Sequence, residues 1–168
     1  NKPISYAFDI YHEDQQLFFF KNESFINVYP VSDFHILQGK FAMELLCALN
    51  QNEESDWLGK FHACTVQKNN NTLMLIGDSG SGKSTFTALL MANGFDLVAD
   101  DITSVLAKDQ KVYGYPAGVS IKSGAFETLN SIIPDFKKLK AFYINPFKGY
   151  VKYMPSNNTQ NITKGYTC

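Results

Sequence analysis

The chain has 168 residues, of which 45% are hydrophobic and 18% charged, a composition typical of globular proteins rather than disordered or fibrous ones. Its formal net charge of -1 gives no overall basic field, so we expect neither nucleic acid nor an anionic membrane as a partner. No apolar run approaches the ~20 residues of a membrane-spanning helix. Cys47, Cys64 and Cys168 are too widely spaced for a disulfide framework, which favours a reducing, cytoplasmic location.

The first part of the chain predicts a small β-rich segment followed by a helix. Between residues 4 and 30, aromatic and β-branched residues cluster around the turn-like stretches "HEDQ" and "KNES", a pattern typical of a three-stranded antiparallel meander. Apolar residues then recur at threes and fours up to residue 50, which predicts a helix with Asp33 as its N-cap. We expect residues 1–57 to pack as an N-terminal region on a core formed by residues 58–168.

The second region alternates short strands and helices. "FHACTVQ" and "TLMLIG" predict two strands joined by a tight turn in "KNNN", and "STFTALLMAN" predicts a helix that ends at Gly94. "FDLVA" predicts a buried strand, residues 102–115 another hairpin, and Ser123 the start of a short helix. After Pro134 the pattern decays and no closing element is predicted. This favours either a chain truncated at its C-terminus or a disordered tail.

A phosphate-binding loop is predicted between the strand "TLMLIG" and the helix that follows. Residues 77–84, "GDSGSGKS", satisfy the pattern G-x-x-x-x-G-K-[ST]. Glycines let successive N–H groups point into one concavity at the positive end of a helix, where phosphates bind. Lys83 would neutralise the phosphates of ATP and Ser84 would ligate Mg²⁺. The residues expected to contact nucleotide are Gly77, Asp78, Ser79, Gly80, Ser81, Gly82, Lys83, Ser84 and Thr85.

Four residues near the loop are further candidates for chemistry. Asp100 and Asp101 follow the strand after the loop helix, where open α/β sheets place ligands. One carboxylate could hold Mg²⁺ and the other accept a proton, or the pair could simply cap backbone donors. His62 precedes the loop strand and is either a catalyst or a structural histidine. Lys122 is either a second phosphate-reaching cation or an ordinary surface lysine.

These motifs, in this order and spacing, resemble the catalytic domain of HPr kinase/phosphorylase, a bacterial protein-serine kinase. The resemblance covers residues 61–106, "FHACTV … LMLIGDSGSGKSTFTALLMANGFDLVADDITSVL". It implies an α/β fold related to phosphoenolpyruvate carboxykinase, with a mixed sheet and flanking helices around the loop, preceded here by the meander. It also implies that His62 and Asp100 act at the acceptor hydroxyl, with Asp100 as general base and Asp101 supporting Mg²⁺ or the histidine. The family tends to assemble into rings of subunits, which makes a homo-oligomer an expectation.

The chain departs from the family at informative positions. Thr85 stands where the family commonly has glutamate, and Lys122 lies where an arginine-bearing motif is expected; the chain has no arginine at all. These departures argue against the reverse, phosphorylase reaction. We expect an ATP-dependent kinase for a serine-type hydroxyl of a protein or peptide, either an HPr-like protein or a modified-peptide precursor. The alternatives are a nucleotide-binding switch without phosphoryl transfer and a small-molecule kinase on the same scaffold.

Overall fold

The structure, a computed structural model, describes residues 5–156 and 163–168. The chain divides into two compact units, Asn1–Glu54 and Ser55–Cys168. The boundary lies three residues before the predicted one because Trp57 begins a strand that pairs within the second unit. The described residues form a mixed α/β architecture with three α-helices. None of these helices is long and apolar enough to cross a membrane.

The first unit contains the predicted meander and helix. Its elements are β1 (Phe8–Glu13), β2 (Gln16–Lys21), β3 (Ser24–Pro30) and α1 (Phe34–Asn50). The three strands pair antiparallel in the order β1-β2-β3. Both connections are two-residue turns with positive φ, Asp14-Gln15 and Asn22-Glu23, the backbone that matches the twist of a tight hairpin.

An aromatic core joins α1 to the meander within this unit. Phe19, Tyr29 and Leu37 are buried together, and the Phe41 ring of α1 contacts the Phe19 ring edge-on. The predicted N-cap residue, Asp33, precedes α1, but its side chain caps no backbone N–H. Its carboxylate instead accepts a hydrogen bond from the Ser32 hydroxyl at 3.2 Å. Burial of the apolar face therefore supports this helix without a side-chain cap.

A charged network ties α1 to β2. Glu44 lies 2.9 Å from the Lys21 ammonium and 3.0 Å from the Lys40 ammonium, and Lys40 also pairs with Glu54 at 2.8 Å. Burial alone would raise the pKa of Glu44, but the hydrogen bonds from both lysines outweigh it and lower the pKa. A carboxyl whose pKa is depressed by folding stabilises the fold above its unfolded pKa. That contribution is lost as the pH falls through the folded-state pKa.

We expect Glu44→Gln to lower the free energy of unfolding by about 1 kcal/mol at neutral pH, because two partly screened ion pairs are lost. The loss should shrink below the ordinary glutamate pKa of 4.5, because there the unfolded carboxyl binds a proton while the folded one is still ionised. Urea denaturation at pH 7 and at acid pH measures both effects. Glu54→Gln is the matched control, and it should cost less because Glu54 is 56% exposed. An equal cost for the two variants at pH 7 would contradict this prediction.

Three sheets and two helices build the second unit. Its elements are β4 (Trp57–Phe61), β5 (Ala63–Lys68), β6 (Asn71–Ile76), α2 (Lys83–Ala92), β7 (Asp96–Ala99), β8 (Thr103–Leu106), β9 (Val112–Tyr113), β10 (Val119–Lys122), α3 (Phe126–Ile132), β11 (Ala141–Asn145), β12 (Gly149–Met154) and β13 (Gly165–Tyr166). The strand orders are β6-β5-β7, β13-β9-β8-β4 and β10-β12-β11. Every pairing between described strands is antiparallel, so the predicted mixed sheet is not found among them.

The sheet β6-β5-β7 positions the predicted site. Because β6 and β7 are both antiparallel to the central β5, they run in the same direction on its two sides. The carboxyl ends of β6 and β7 therefore meet the amino end of β5 at one edge of the sheet. This edge brings together the loop after β6, the Asp100-Asp101 pair after β7, and His62 before β5.

The main core surrounds α2. Buried residues of α2 and β5 pack with residues of β10 and α3, so the helix has strands on both sides. The cluster consists of Val66, Ala88, Met91, Leu97, Val119, Ile121, Leu129 and Phe136. A smaller cluster of Val98, Val105, Val112 and Tyr166 joins β7 to the strands β8, β9 and β13. The loop helix α2 is thus packed against β5, β10 and α3 through this cluster.

The region after Pro134 is more regular than predicted. Residues 141–154 form the hairpin β11–β12, and β13 pairs with β9. Exposed aromatics on both faces of β11 remove the apolar–polar alternation that would have indicated a strand. Ser123 does begin a helical turn, but neither it nor Lys122 supplies a side-chain cap. Residues 157–162 of the predicted tail lie outside the described residues.

Candidate nucleotide and phosphoryl-transfer site

The glycine-rich loop connects β6 to α2 as predicted. Gly80 and Gly82 have φ of +87° and +91°, backbone angles that suit glycine best. At Gly77, an added Cβ would lie 3.0 Å from the Ser81 side-chain oxygen, so a larger residue would crowd the loop. The Ser81 N–H donates to the Asp78 carbonyl at 3.1 Å and closes the turn. The sequence Gly77–Gly82 thus forms a tight turn at the N-terminus of α2.

The Lys83 side chain lies along this loop. Its ammonium donates to the carbonyl oxygens of Gly77 at 2.7 Å and Asp78 at 2.9 Å. Lys83 is the first residue of α2, so its charge lies beside N–H groups that have no partner within the helix. Positive charge and backbone donors therefore meet at one place, which is the chemistry of a phosphate site.

Asp100 is a buried carboxylate at the base of the loop helix. Only 5% of the residue is exposed. One carboxylate oxygen accepts hydrogen bonds from the Ser84 hydroxyl at 3.2 Å and from the Cys64 thiol at 2.9 Å. The other accepts from the Ser120 backbone N–H at 2.8 Å. Four elements therefore converge on this carboxylate: β5, α2, β10 and the end of β7.

Burial and hydrogen bonding shift the pKa of the Asp100 carboxyl and of the Cys64 thiol that donates to it. Burial raises the pKa of Asp100, while the hydrogen bonds from Cys64, Ser120 and Ser84 oppose that rise. Burial also raises the pKa of the Cys64 thiol, and the neighbouring Asp100 carboxylate raises it further. Cys64 is therefore a thiol that donates, and its raised pKa makes it a poor nucleophile.

The backbone conformation of Asp101 places its side chain in a different environment from that of Asp100. Asp101 has φ of +66°, a left-handed conformation that Asp adopts more readily than most residues. The Ile102 N–H donates to the Asp100 carbonyl at 2.8 Å, which makes a tight turn. As a result the Asp101 side chain is 62% exposed, and it lies 3.0 Å from Nδ1 of His62. Backbone angles of this kind concentrate at functional sites.

The His62 ring has a defined orientation. Its Nδ1 faces two acceptors, the Asp101 carboxylate at 3.0 Å and the Asp101 carbonyl at 3.2 Å. Because both partners only accept, Nδ1 must carry the proton. In the neutral ring Nε2 then has a free lone pair, the arrangement of a histidine base oriented by a carboxylate. The His62 side chain is half-exposed, at 52%.

Most predicted site residues are therefore adjacent. The loop, Ser84 and Asp100 form one cluster, and His62 with Asp101 forms a second cluster beside it. His62 pairs with Asp101, which was expected to support either Mg²⁺ or the histidine, whereas the Asp100 carboxylate is bonded to Ser84, Cys64 and Ser120. Lys122 ends β10 and is exposed, and in the described part of the chain its ammonium forms no hydrogen bond with the loop.

Two residues of the site were not predicted. Cys64 could have been found from the pairing of β5 with β7, since continuing the register past Thr65 and Ala99 puts Cys64 opposite Asp100. Ser120 contributes only its backbone N–H, from a strand of another sheet. No residue type signals such a contact, so the sequence holds no marker for it.

Ser84 and Asp100 are the two residues of this cluster that could bind Mg²⁺. Among the residues that the structure describes, no group of three or more His, Cys, Asp or Glu could hold a metal ion. Mg²⁺ in phosphate-transfer sites commonly takes only one or two protein ligands, with phosphates and water supplying the rest. A hydroxyl and a carboxylate 3.2 Å apart beside a phosphate loop match that requirement.

Comparison of the chain with protein-family models, curated proteins and solved structures finds no significant match to any of them.

Proposed function

We propose that this protein is an ATP-dependent kinase that transfers the γ-phosphoryl group to a serine-type hydroxyl of a protein or peptide. The observation that carries the proposal is the pair of clusters at one sheet edge. Ser84 with Asp100 lies at the base of the loop, and His62 with Asp101 lies beside it, half-exposed. The first suits a nucleotide with its metal, and the second suits an incoming hydroxyl.

Within this proposal, the loop and Lys83 bind the phosphates. The ammonium exchanges its hydrogen bonds to the Gly77 and Asp78 carbonyls for phosphate oxygens. Ser84 and Asp100 would hold Mg²⁺, which when bound neutralises charge on the phosphate oxygens. Cys64 and the Ser120 N–H keep the Asp100 carboxylate oriented toward Ser84.

Asp101 supports the histidine, as the family resemblance implies, but His62 rather than Asp100 acts as the base in this proposal. Nε2 of His62 accepts the proton of the acceptor hydroxyl as the hydroxyl oxygen bonds to the γ-phosphorus, and the bond from that phosphorus to the β–γ bridging oxygen breaks to release ADP. Asp101 holds the Nδ1–H tautomer and stabilises the imidazolium that forms, as the carboxylate does in a Ser-His-Asp triad. Asp100 is buried and bonded on both oxygens, so it suits the metal better than the acceptor.

The absence of arginine supports one rival function. An arginine that reaches the transferred phosphoryl group is worth about 10³-fold or more in rate, and this chain has none. A nucleotide-dependent switch that assembles with a partner, without phosphoryl transfer, would not need it. In a kinase, Lys83, the loop amides and the metal must carry that charge, or a partner must supply the cation. The hydrogen-bonding thiol of Cys64 supports a reducing, cytoplasmic setting for either function.

The decisive test incubates the protein with Mg²⁺, ATP labelled on its γ-phosphate, and candidate acceptors. The acceptors are an HPr-like protein, serine-containing peptides and small hydroxyl compounds. Phosphoserine identified by mass spectrometry supports the kinase. Nucleotide binding without a phosphorylated acceptor contradicts it and favours the switch, whereas a labelled small compound favours the small-molecule kinase.

Lys83→Ala provides the internal control for this test. Losing charge-assisted hydrogen bonds worth about 1.5–3 kcal/mol corresponds to roughly 10- to 150-fold weaker nucleotide binding. The matched variant is Lys108→Ala, which removes an exposed lysine from the turn between β8 and β9. It should bind nucleotide as the wild type does. Equal behaviour of the two variants would show that the loop is not the nucleotide site.

A further inference from the structure

The hairpin β11–β12 presents an unusual amount of apolar surface to solvent. Every residue of β11 is exposed, although strands of a folded domain normally bury at least one face. The large exposed side chains of the hairpin are Phe142, Tyr143, Ile144, Phe147, Tyr150 and Tyr153. Each face of the hairpin carries one cross-strand ring pair, Phe142 with Tyr153 on one face and Tyr143 with Tyr150 on the other, because adjacent strand residues point to opposite faces. Exposed aromatic side chains on both faces of a hairpin are unusual for a strand pair and indicate a binding surface.

The hairpin tip is a formed turn. The Asn145 side-chain oxygen accepts hydrogen bonds from the N–H groups of Phe147 at 3.0 Å and Lys148 at 2.8 Å. Gly149 completes the turn with φ of +64°. Phe147 is nevertheless 97% exposed. Its ring is thus held out into solvent by an ordered backbone.

The outer edge of β11 is available for pairing. In the sheet β10-β12-β11, β12 is central and β11 pairs with β12 alone among the described strands. The other side of β11 therefore presents backbone N–H and C=O groups that an added strand can satisfy. Extended peptides bind edge strands in this way, with backbone hydrogen bonds for affinity and side-chain contacts for specificity.

The lysines in and around the β11–β12 hairpin favour a partner of negative charge. Residues 136–154 contain five lysines and no aspartate or glutamate, in a chain whose net charge is -1; four of these lysines are exposed, and Lys152 is buried. Lys138 pairs with Asp135, whereas Lys140 lies over the Phe142 ring at 5.2 Å and Lys148 lies in the tip turn. Basic side chains therefore flank the edge strand at both ends, and they complement an acidic segment.

We propose that the β11–β12 hairpin is a docking site for an acidic peptide segment, which adds in extended conformation to the outer edge of β11. This binding does not depend on phosphoryl transfer. Its place in the fold links it to the site, because β10 of the same sheet donates the Ser120 N–H to Asp100. An added strand would lie three strand spacings from β10, or about 14 Å. A role in presenting the acceptor serine rests on the proposed kinase function.

The test measures fluorescence anisotropy of a labelled peptide of alternating glutamate and valine, with full-length protein and without nucleotide. We expect saturable binding that is absent for the same peptide with lysine in place of glutamate. Methylation of alternate backbone amides, on the side that would face β11, should abolish binding because strand addition needs those N–H groups. Since nucleotide is omitted, a negative result here is separate from failure of the kinase assay.

Two variants locate the site. Phe147→Ala should weaken the peptide about tenfold or more if the ring is an anchor, without changing the melting temperature. Lys148→Glu should also weaken it about tenfold, because it reverses a charge that faces the acidic peptide. Lys108→Glu is the matched control, a charge reversal in the turn of another hairpin, and should bind as the wild type does.

Four outcomes would overturn the proposal. The first is an absence of binding, and the second is equal weakening by Lys108→Glu and Lys148→Glu. The third is a dimer in sedimentation that Phe147→Ala converts to monomer, which would make the hairpin an interface between copies of this chain. The fourth is Phe147-dependent binding to vesicles containing phosphatidylserine together with no binding of the peptide, which would assign the surface to a membrane.

Discussion

Asp100→Asn and His62→Gln are expected to impair the protein at different steps. Asp100→Asn should weaken Mg²⁺-dependent nucleotide binding, because the carboxylate beside Ser84 is lost while the side-chain shape is kept. His62→Gln should leave nucleotide binding unchanged and slow phosphoryl transfer by about 10²- to 10⁴-fold, the range for loss of a general base. Titration with a fluorescent ATP analogue, with and without Mg²⁺, and single-turnover transfer separate the two effects.

Asp101→Asn provides the positioning control for this pair. Asparagine can adopt the left-handed backbone conformation of residue 101, so the turn should be kept. It lacks the carboxylate that accepts the hydrogen bond from Nδ1–H of His62. We expect transfer to fall, though less than with His62→Gln, because the Asp101 carbonyl still accepts from Nδ1. If Asp100→Asn retained Mg²⁺-dependent binding and lost only transfer, Asp100 would be the base, as the family resemblance implies.

Phe136→Ala is expected to have the largest effect on stability. Phe136 is 1% exposed in the core around α2, its ring contacts that of Phe126, and the Lys152 ammonium lies 4.8 Å from its centroid. Truncation of a buried phenylalanine costs about 3–5 kcal/mol because of lost transfer energy and the cavity. This is a large share of the ~5–15 kcal/mol that stabilises a typical domain. Chemical denaturation followed by circular dichroism measures the change.

Phe147→Ala is the matched control for that measurement. It makes the same chemical change at a ring that is 97% exposed, so the free energy of unfolding should change by no more than about 0.5 kcal/mol. A similar loss for both variants would mean that Phe136 is not packed as described. If Phe136→Ala fails to fold, the milder Phe136→Leu should show an intermediate loss.

The backbone of the glycine-rich loop could be predicted from sequence because its determinants are local. A glycine-rich loop between an apolar strand and an apolar helix has few other interpretations, and residues 77–84 carry that signal by themselves. The turn at Asn69-Asn70 and the helix end at Gly94 were equally local, since each depends on residues that accept positive φ.

The roles of the two aspartates were not predictable in the same way. Asp100 and Asp101 are chemically identical and adjacent, and only the φ of Asp101 sends one side chain into the core and the other to solvent. The contacts that define Asp100 come from Cys64 and Ser120, which are 36 and 20 residues away. Tertiary pairing decides such contacts, and no local pattern encodes it.

The strands β5, β6 and β7 come from one continuous stretch of the chain, so they are synthesised one after another. His62, the loop and both aspartates lie within residues 62–101, so one continuous stretch supplies every side chain of the proposed site. During translation these strands can pair before β10 and the β11–β12 hairpin have been made. Ser120 then adds the last hydrogen bond to Asp100. The side chains of the proposed site are therefore synthesised together, and its one backbone contact, from Ser120, forms only after β10 has been made.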